Sequence, residues 1–349
     1  MNRRRLIAPS GNLDSDASKR GKSTELRSLR SLSQTSQSAA LLRHLALIIG
    51  EVRDGRRHKA IVEEPIYSQS SPHLEAEPGG DTRAMKIFIS ADIEGVTGIS
   101  HWDEASLHKP DFFVFQEQMT AEVAAACEGA LAAGATEIWV KDGHGTGRNL
   151  LASRLPPPTR LIRGWSGHPY QMLQELDETF SAVLMIGYHA AAGATGNPLS
   201  HALTKGLAEL RINGRHASEF LLNAYTAALL KVPVALVSGD QAVCDDVVAA
   251  NASIRTVPVK VGVGDSTTSL HPSEATGQIR EQVAHALRTD LTSCGLDLPE
   301  HFRVELRYKE HTDAYRNAFY PGAMLKDACA IVFETPDYFE VLRFLLFTA

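Results

Sequence analysis

The chain has 349 residues, 44% apolar and 22% charged, enough for one large domain or two smaller ones with an ample core. Its 35 Lys+Arg against 41 Asp+Glu give a formal charge of -6, which lacks the basic footprint of a nucleic-acid binder, and we expect neither a nucleic-acid nor a membrane partner. Cys127, Cys244, Cys294 and Cys329 are scattered without CxxC spacing, so reduced thiols in a cytoplasmic protein are expected rather than a disulfide framework or a thiolate zinc site.

Charge divides the chain at about residue 84. Residues 1–84 hold 14 Lys+Arg and 10 Asp+Glu, a balance of +4, which leaves -10 for residues 85–349. The first stretch shows no sustained hydrophobic periodicity and reads as a disordered N-terminal extension. One apolar run inside it, Leu41 to Ile49, is about half the length of a spanning helix and suits a short amphipathic helix better than a membrane span. On this pattern the working region begins at Met85 and runs to 349, with a core over 85–260 and a smaller portion over 261–349.

From Met85 the pattern is strand, loop, helix, repeated. Short apolar runs predict strands at Lys86 to Ser90, Glu137 to Lys141, Ala182 to Gly187 and Pro233 to Val237, of the kind that are covered on both faces. Helices are expected at Val114 to Ala133, ended by Gly134, and at Ser218 to Lys231. Arg211 to Arg215 contains Asn-Gly and predicts a hairpin, and Gly262, Gly264 and Asp265 read as an ordinary turn. Phe302 to Tyr308 and Ala330 to Glu334 read as strands, and Pro336 to Phe347 as a closing helix with Thr335 as N-cap. The fold class is α/β: a three-layer α/β/α arrangement with a mostly parallel central sheet, plus a smaller C-terminal α+β portion.

Each of the four strands of the core ends in a potential ligand. Asp92 and Glu94 follow the first, in Ser90-Ala91-Asp92-Ile93-Glu94-Gly95. Two carboxylates two residues apart at a strand end aim at one region and need a cation or a shared proton. Gly95 is expected to supply φ > 0 there. Asp142 and His144 follow the second strand, His189 the third and Asp240 the fourth. Loops beyond the carboxyl ends of parallel strands converge on one crevice, so these groups can meet although each has an ordinary explanation alone. A lone strand-end histidine is more often a surface or core residue, Asp142 can cap a turn, and Asp240 can cap a helix. His201 joins them from a loop rich in Ala and Gly, and Glu219 from a first helical turn that the macrodipole alone would favour as acidic.

The motifs SADIEGVTGI at 90–99, KDGHG at 141–145, GYHA at 187–190, SHAL at 200–203, SEFLLNAY at 218–225 and VSGD at 237–240 occur in the order found in the DppA-type zinc D-aminopeptidases, peptidase family M55, which residues 85–349 resemble. The resemblance implies two Zn2+ per chain: Asp92 bridging the metals, Glu94 and His144 completing one, His189 and Glu219 the other. It marks His201 as the catalytic histidine, acting as nucleophile, proton shuttle or oxyanion donor, of which we favour the second and third. It further implies a short peptide substrate with an N-terminal D-residue, metal-activated water attack on the peptide carbonyl, and a homodecamer. Gly143 and Ser218 depart from the family's usual Ser and Gly at these places. Nitrogen and oxygen donors without cysteine suit catalytic zinc. The same residues leave two alternatives open: another dinuclear metal hydrolase, an amidase or phosphoesterase, or a non-catalytic metal-binding assembly protein.

Overall fold

Residues 86–91 alternate strictly, Ile87, Ile89 and Ala91 facing one apolar cluster and Phe88 the other, as a strand buried on both faces requires. The computed structural model describes residues 84–349; the expected extension and the apolar run Leu41 to Ile49 lie outside them. In chain order the elements are β1 (Lys86–Ala91), α1 (Phe112–Ala132), β2 (Glu137–Asp142), β3 (Thr159–Ile162), β4 (Ala182–Tyr188), β5 (Leu207–Ile212), β6 (Arg215–His216), α2 (Glu219–Leu229), β7 (Val234–Asp240) and α3 (Gln241–Ala250). There follow β8 (Arg255–Val263), β9 (Ser266–Ser269), α4 (Pro272–Ala286), β10 (Phe302–Tyr308), α5 (His311–Asn317), β11 (Met324–Asp327), β12 (Ala330–Thr335) and α6 (Tyr338–Thr348).

The larger sheet has the order β3-β2-β1-β4-β7-β8-β9. Its first six strands are parallel, and β9 returns antiparallel to β8. The fold is therefore α/β, as the sequence implies. One face is closed by α1 and α4, through Val123, Cys127, Ile279 and Val283 among others. Packed in the other cluster are Phe220 of α2, Val243 of α3, Leu306 of β10 and Phe344 of α6. Beyond that face stands an antiparallel sheet, β11-β12-β10-β5-β6. This second sheet takes β5 and β6 from the middle of the chain, and position 260 falls inside β8.

The chain leaves β1 toward β2 and β3 on one side and later resumes with β4 on the other, so strand order reverses between β1 and β4. At such a switch point the loops beyond adjacent strands diverge and leave a crevice. Two glycines let the loops approach one another there. A Cβ on Gly95 would lie 1.8 Å from the Tyr188 carbonyl oxygen, and one on Gly187 2.3 Å from that of Asp92. Gly95 is therefore required for close approach and not, as expected, for a positive φ; its N–H donates to Gly187 O at 2.8 Å.

Local signals held at several ends. Gly134, at φ +101°, stops α1, and Asn213 and Gly214, at +52° and +81°, form the hairpin turn. The Ser218 side chain caps α2 by accepting from Leu221 N–H. The closing helix differs: Asp337 caps α6 through Phe339 N–H, while Thr335 Oγ1 accepts from Asp337 N–H instead. An aspartate two residues nearer the helix outcompetes the threonine because its carboxylate is the stronger acceptor for a helix N-terminus. The four cysteines are free. No helix among the described residues is long and apolar enough to cross a membrane.

Candidate metal centre

β1 ends at Ala91, so Asp92 and Glu94 belong to the turn that follows it rather than to alternate strand positions. They nevertheless converge. Asp92 Oδ1 lies 3.4 Å and Glu94 Oε2 3.0 Å from His144 Nδ1, which arrives from the loop after β2. The other Asp92 oxygen, Oδ2, lies 3.5 Å from Nε2 of His189, the residue after β4. Glu219, first residue of α2, completes that side with Oε2 3.7 Å from the same nitrogen. All five predicted ligand residues are thus brought together, and all but His144 are buried. Each oxygen of Asp92 faces a different imidazole.

Backbone carbonyls decide which ring nitrogen points inward. His144 Nε2 donates to Ala105 O at 2.7 Å, and His189 Nδ1 to Ala190 O at 2.9 Å. A carbonyl only accepts, so the proton stays on that nitrogen and the opposite one can turn a lone pair toward the carboxylates. His201 follows the same rule, with Nδ1 donating to Leu199 O at 3.0 Å. Its Nε2 lies 4.0 Å from Glu94 Oε1 and 3.8 Å from Glu219 Oε1, between the outer carboxylates of the two halves. The ring stacks on His189, with centroids 4.4 Å apart, and makes a T-shaped contact with Trp102, with centroids 5.2 Å apart.

Electrostatics make the cluster unstable without added positive charge. Burial, reinforced by the Glu94 carboxylate, pushes the Asp92 carboxyl well above its usual range. Burial acts in the same direction on Glu94 and Glu219, but His144 outweighs it at Glu94, and His189 brings Glu219 down to about 2. The imidazoles respond in kind: against the effect of burial, Glu94 raises His144 well above its ordinary value and Glu219 raises His189 to about 10. Three buried carboxylates thus draw positive charge onto two rings. Glu94 Oε2 and His189 Nε2 are also buried without a hydrogen-bond partner among the described residues. A carboxylate oxygen facing an imidazole at 3.0 Å and an imidazole nitrogen facing a carboxylate at 3.7 Å, both unpartnered, fit divalent cations that displace a proton from each ring. With only nitrogen and oxygen donors the set suits zinc in a catalytic setting.

Around these ligands stands a network the sequence disclosed only in part. Asp240 caps α3 by accepting from Val243 N–H, and its other oxygen accepts from Ala190 N–H and Asn197 Nδ2, both at 2.8 Å. The same Asn197 amide donates to Glu94 O at 3.0 Å. Lys260, buried in β8, donates to the carbonyls of Glu94 and Ile99. Neither Asn197 nor Lys260 was foreseen, although a single lysine inside Val257-Pro258-Val259-Lys260-Val261 is a signal that a buried strand has a polar task. Asp142 follows its bland alternative: its oxygens accept from Asn149 and Leu150 within its own loop, and among the described residues it bonds to no imidazole. A Cβ at Gly143 would lie 2.9 Å from Ala91 O, which explains glycine there.

The centre opens into a cavity of about 530 Å³, whose walls include Trp102, Leu107, Trp165, Met172, Leu203 and Leu346. An apolar chamber ending in a few convergent polar groups is the usual form of a small-molecule site.

The sequence profile of the D-aminopeptidase family matches residues 85–347. A D-aminopeptidase of Bacillus subtilis (strain 168) is 30% identical over 264 residues, which cover 75% of this chain and 96% of that protein. Among solved structures, the chain is similar to the Zn-dependent D-aminopeptidase DppA from Bacillus subtilis, described as a self-compartmentalizing protease. That match has a TM-score of 0.71 at 28% identity and covers 75% of this chain and 96% of the other.

Proposed function

The chain belongs to the D-aminopeptidase family, M55, and is a metallo-aminopeptidase; from that premise we propose that it removes N-terminal D-residues from short peptides at a centre of two zinc ions. The observation that carries the proposal is Asp92, whose two oxygens face His144 and His189 separately. In this reading Glu94 and His144 would hold one ion, His189 and Glu219 the other, and Asp92 would be shared between them. When bound, the zinc pair supplies Lewis acidity, polarising the scissile carbonyl and making water acidic enough to react near neutral pH.

His201 then moves the proton. Burial, followed by the adjacent His189, keeps its ring less basic than an ordinary histidine. With Nδ1–H committed to Leu199 O, the neutral ring presents an acceptor at Nε2. It can take a proton from the attacking water and return it to the departing amine nitrogen, the task of a general base that becomes a general acid. Trp102 and His189 hold its plane from two sides. His201→Ala is expected to keep the zinc content and lose about 10²- to 10⁴-fold in kcat; loss of zinc with activity would make His201 a ligand instead.

A homo-oligomer, most simply a decamer, belongs to the same proposal, since the DppA structure is of a self-compartmentalizing protease. The four unpaired cysteines suit a reducing compartment, and we place the enzyme in the cytoplasm. Hydrolysis of D-Ala-D-Ala against L-Ala-L-Ala, with and without zinc, tests the assignment: zinc-dependent turnover of the D peptide is expected, and a preference for the L peptide overturns it.

A further inference from the structure

Cleaving a short peptide brings a second charged group into the cavity besides the N-terminal amine. A free C-terminal carboxylate would enter a chamber whose floor carries three carboxylates, Asp92, Glu94 and Glu219. Among the described residues lining that chamber, Lys205 alone is a lysine or arginine. It has no carboxylate within 4.0 Å among them, whereas many surface cations of this chain do, Lys109, Arg215 and Lys326 for example. Its Nζ lies 4.4 Å from the centroid of Trp102, over the ring.

Trp102 also ties Lys205 to the reacting centre. The face of the indole that receives the ammonium belongs to the same ring whose other contact is His201, at 5.2 Å. One loop, from Leu199 to Lys205, supplies both the histidine and the lysine, anchored between them where Leu203 N–H donates to Glu219 Oε1 at 2.7 Å. The two contacts together bound the separation of Nζ from the His201 ring to less than about 10 Å, two to three extended residues at ~3.3–3.6 Å each. A carboxylate one or two residues beyond the scissile bond therefore falls within reach of this ammonium. The cation–π contact holds the side chain there without neutralising it.

Resting on the aminopeptidase assignment, the geometry points to Lys205 as the residue that binds the C-terminal carboxylate of the substrate, making the enzyme selective for di- and tripeptides with a free C-terminus. Such a contact is a charge-assisted hydrogen bond on a preoriented side chain. It ranks a peptide acid above the same peptide with a blocked end.

The test compares D-Ala-D-Ala with D-Ala-D-Ala-NH2, which share the scissile bond and differ only in the terminal charge. Steady-state kinetics on the zinc-loaded full-length protein give the ratio of kcat/KM for acid over amide. Lys205→Met is expected to lower that ratio about 10-fold, mainly through KM of the acid, and Lys205→Arg to retain it within about 2-fold. A ratio unchanged in Lys205→Met overturns the assignment, as does an equal fall for both peptides, which would make Lys205 a scaffold residue. Wild-type protein that turned over neither peptide would overturn the aminopeptidase function, and this subsite with it.

Discussion

At Asp92 each carboxylate oxygen faces its own imidazole, whereas Glu94 approaches only His144 and Glu219 only His189 among the two. The three acids should therefore differ in what their removal costs. Zinc measured by mass spectrometry is expected at about two ions per wild-type chain, close to none in Asp92→Ala, and about half the wild-type amount in Glu94→Ala. Equal loss in the two variants would contradict the bridging role. All five residues proposed as ligands were named from the sequence, Asp92, Glu94, His144 and His189 by their place after strands and Glu219 by its motif, and the structure brings the five together. The residues that hold them were less legible there. Asn197 reaches Glu94 O and Asp240 across 103 and 43 positions of sequence, and no local pattern announces a contact made at such distance. Lys205 gave no signal because an exposed lysine in a loop has an ordinary explanation until Trp102 is seen beneath it.

Among the elements, α1 carries a polar group that the active site does not use. Glu122 is fully buried; its Oε1 accepts from Thr97 N–H and Gln118 Nε2, while Oε2 has no partner among the described residues. Burial raises its carboxyl to about 7. The sign follows from linkage: the folded chain keeps a proton there that the unfolded chain releases near pH ~4.3, so ionisation costs stability as pH rises through 7. Glu122→Gln preserves the acceptor for Thr97 and abolishes the charge. Its gain over wild type should be small at pH 4.5 and reach on the order of 2–3 kcal/mol at pH 8, read from denaturant unfolding at both values; a gap independent of pH would contradict it. Strands β1, β2, β4 and β7 were legible because both faces are apolar, although β7 runs on to Asp240, past the expected Val237. By contrast β3 has only four residues, and α4 begins Pro-Ser-Glu-Ala-Thr-Gly with few apolar positions. The antiparallel sheet was only partly foreseen, since pairing β10 with β5 joins residues about a hundred positions apart, a long-range choice that local pattern does not fix.

For the molecule as a whole, two sheets place the chemistry at one switch point and leave apolar side chains elsewhere on the surface. Tyr315 of α5, Phe319 just beyond its end and Phe347 of α6 are each more than 60% exposed, the kind of apolar surface that an interface can cover. A homo-oligomer would cover such groups, and light scattering of the purified protein is expected to give a mass several times the 37.9 kDa of one chain; a monomer across the micromolar range would contradict that expectation. The central claim is that paired zinc ions on Asp92, Glu94, His144, His189 and Glu219 cleave D-peptides. It is tested most directly by returning zinc in steps to chelator-stripped protein while following D-Ala-D-Ala hydrolysis. Activity is predicted to rise from near zero to a plateau at about two equivalents per chain. A plateau at one equivalent or fewer, or full activity in the stripped protein, would contradict it.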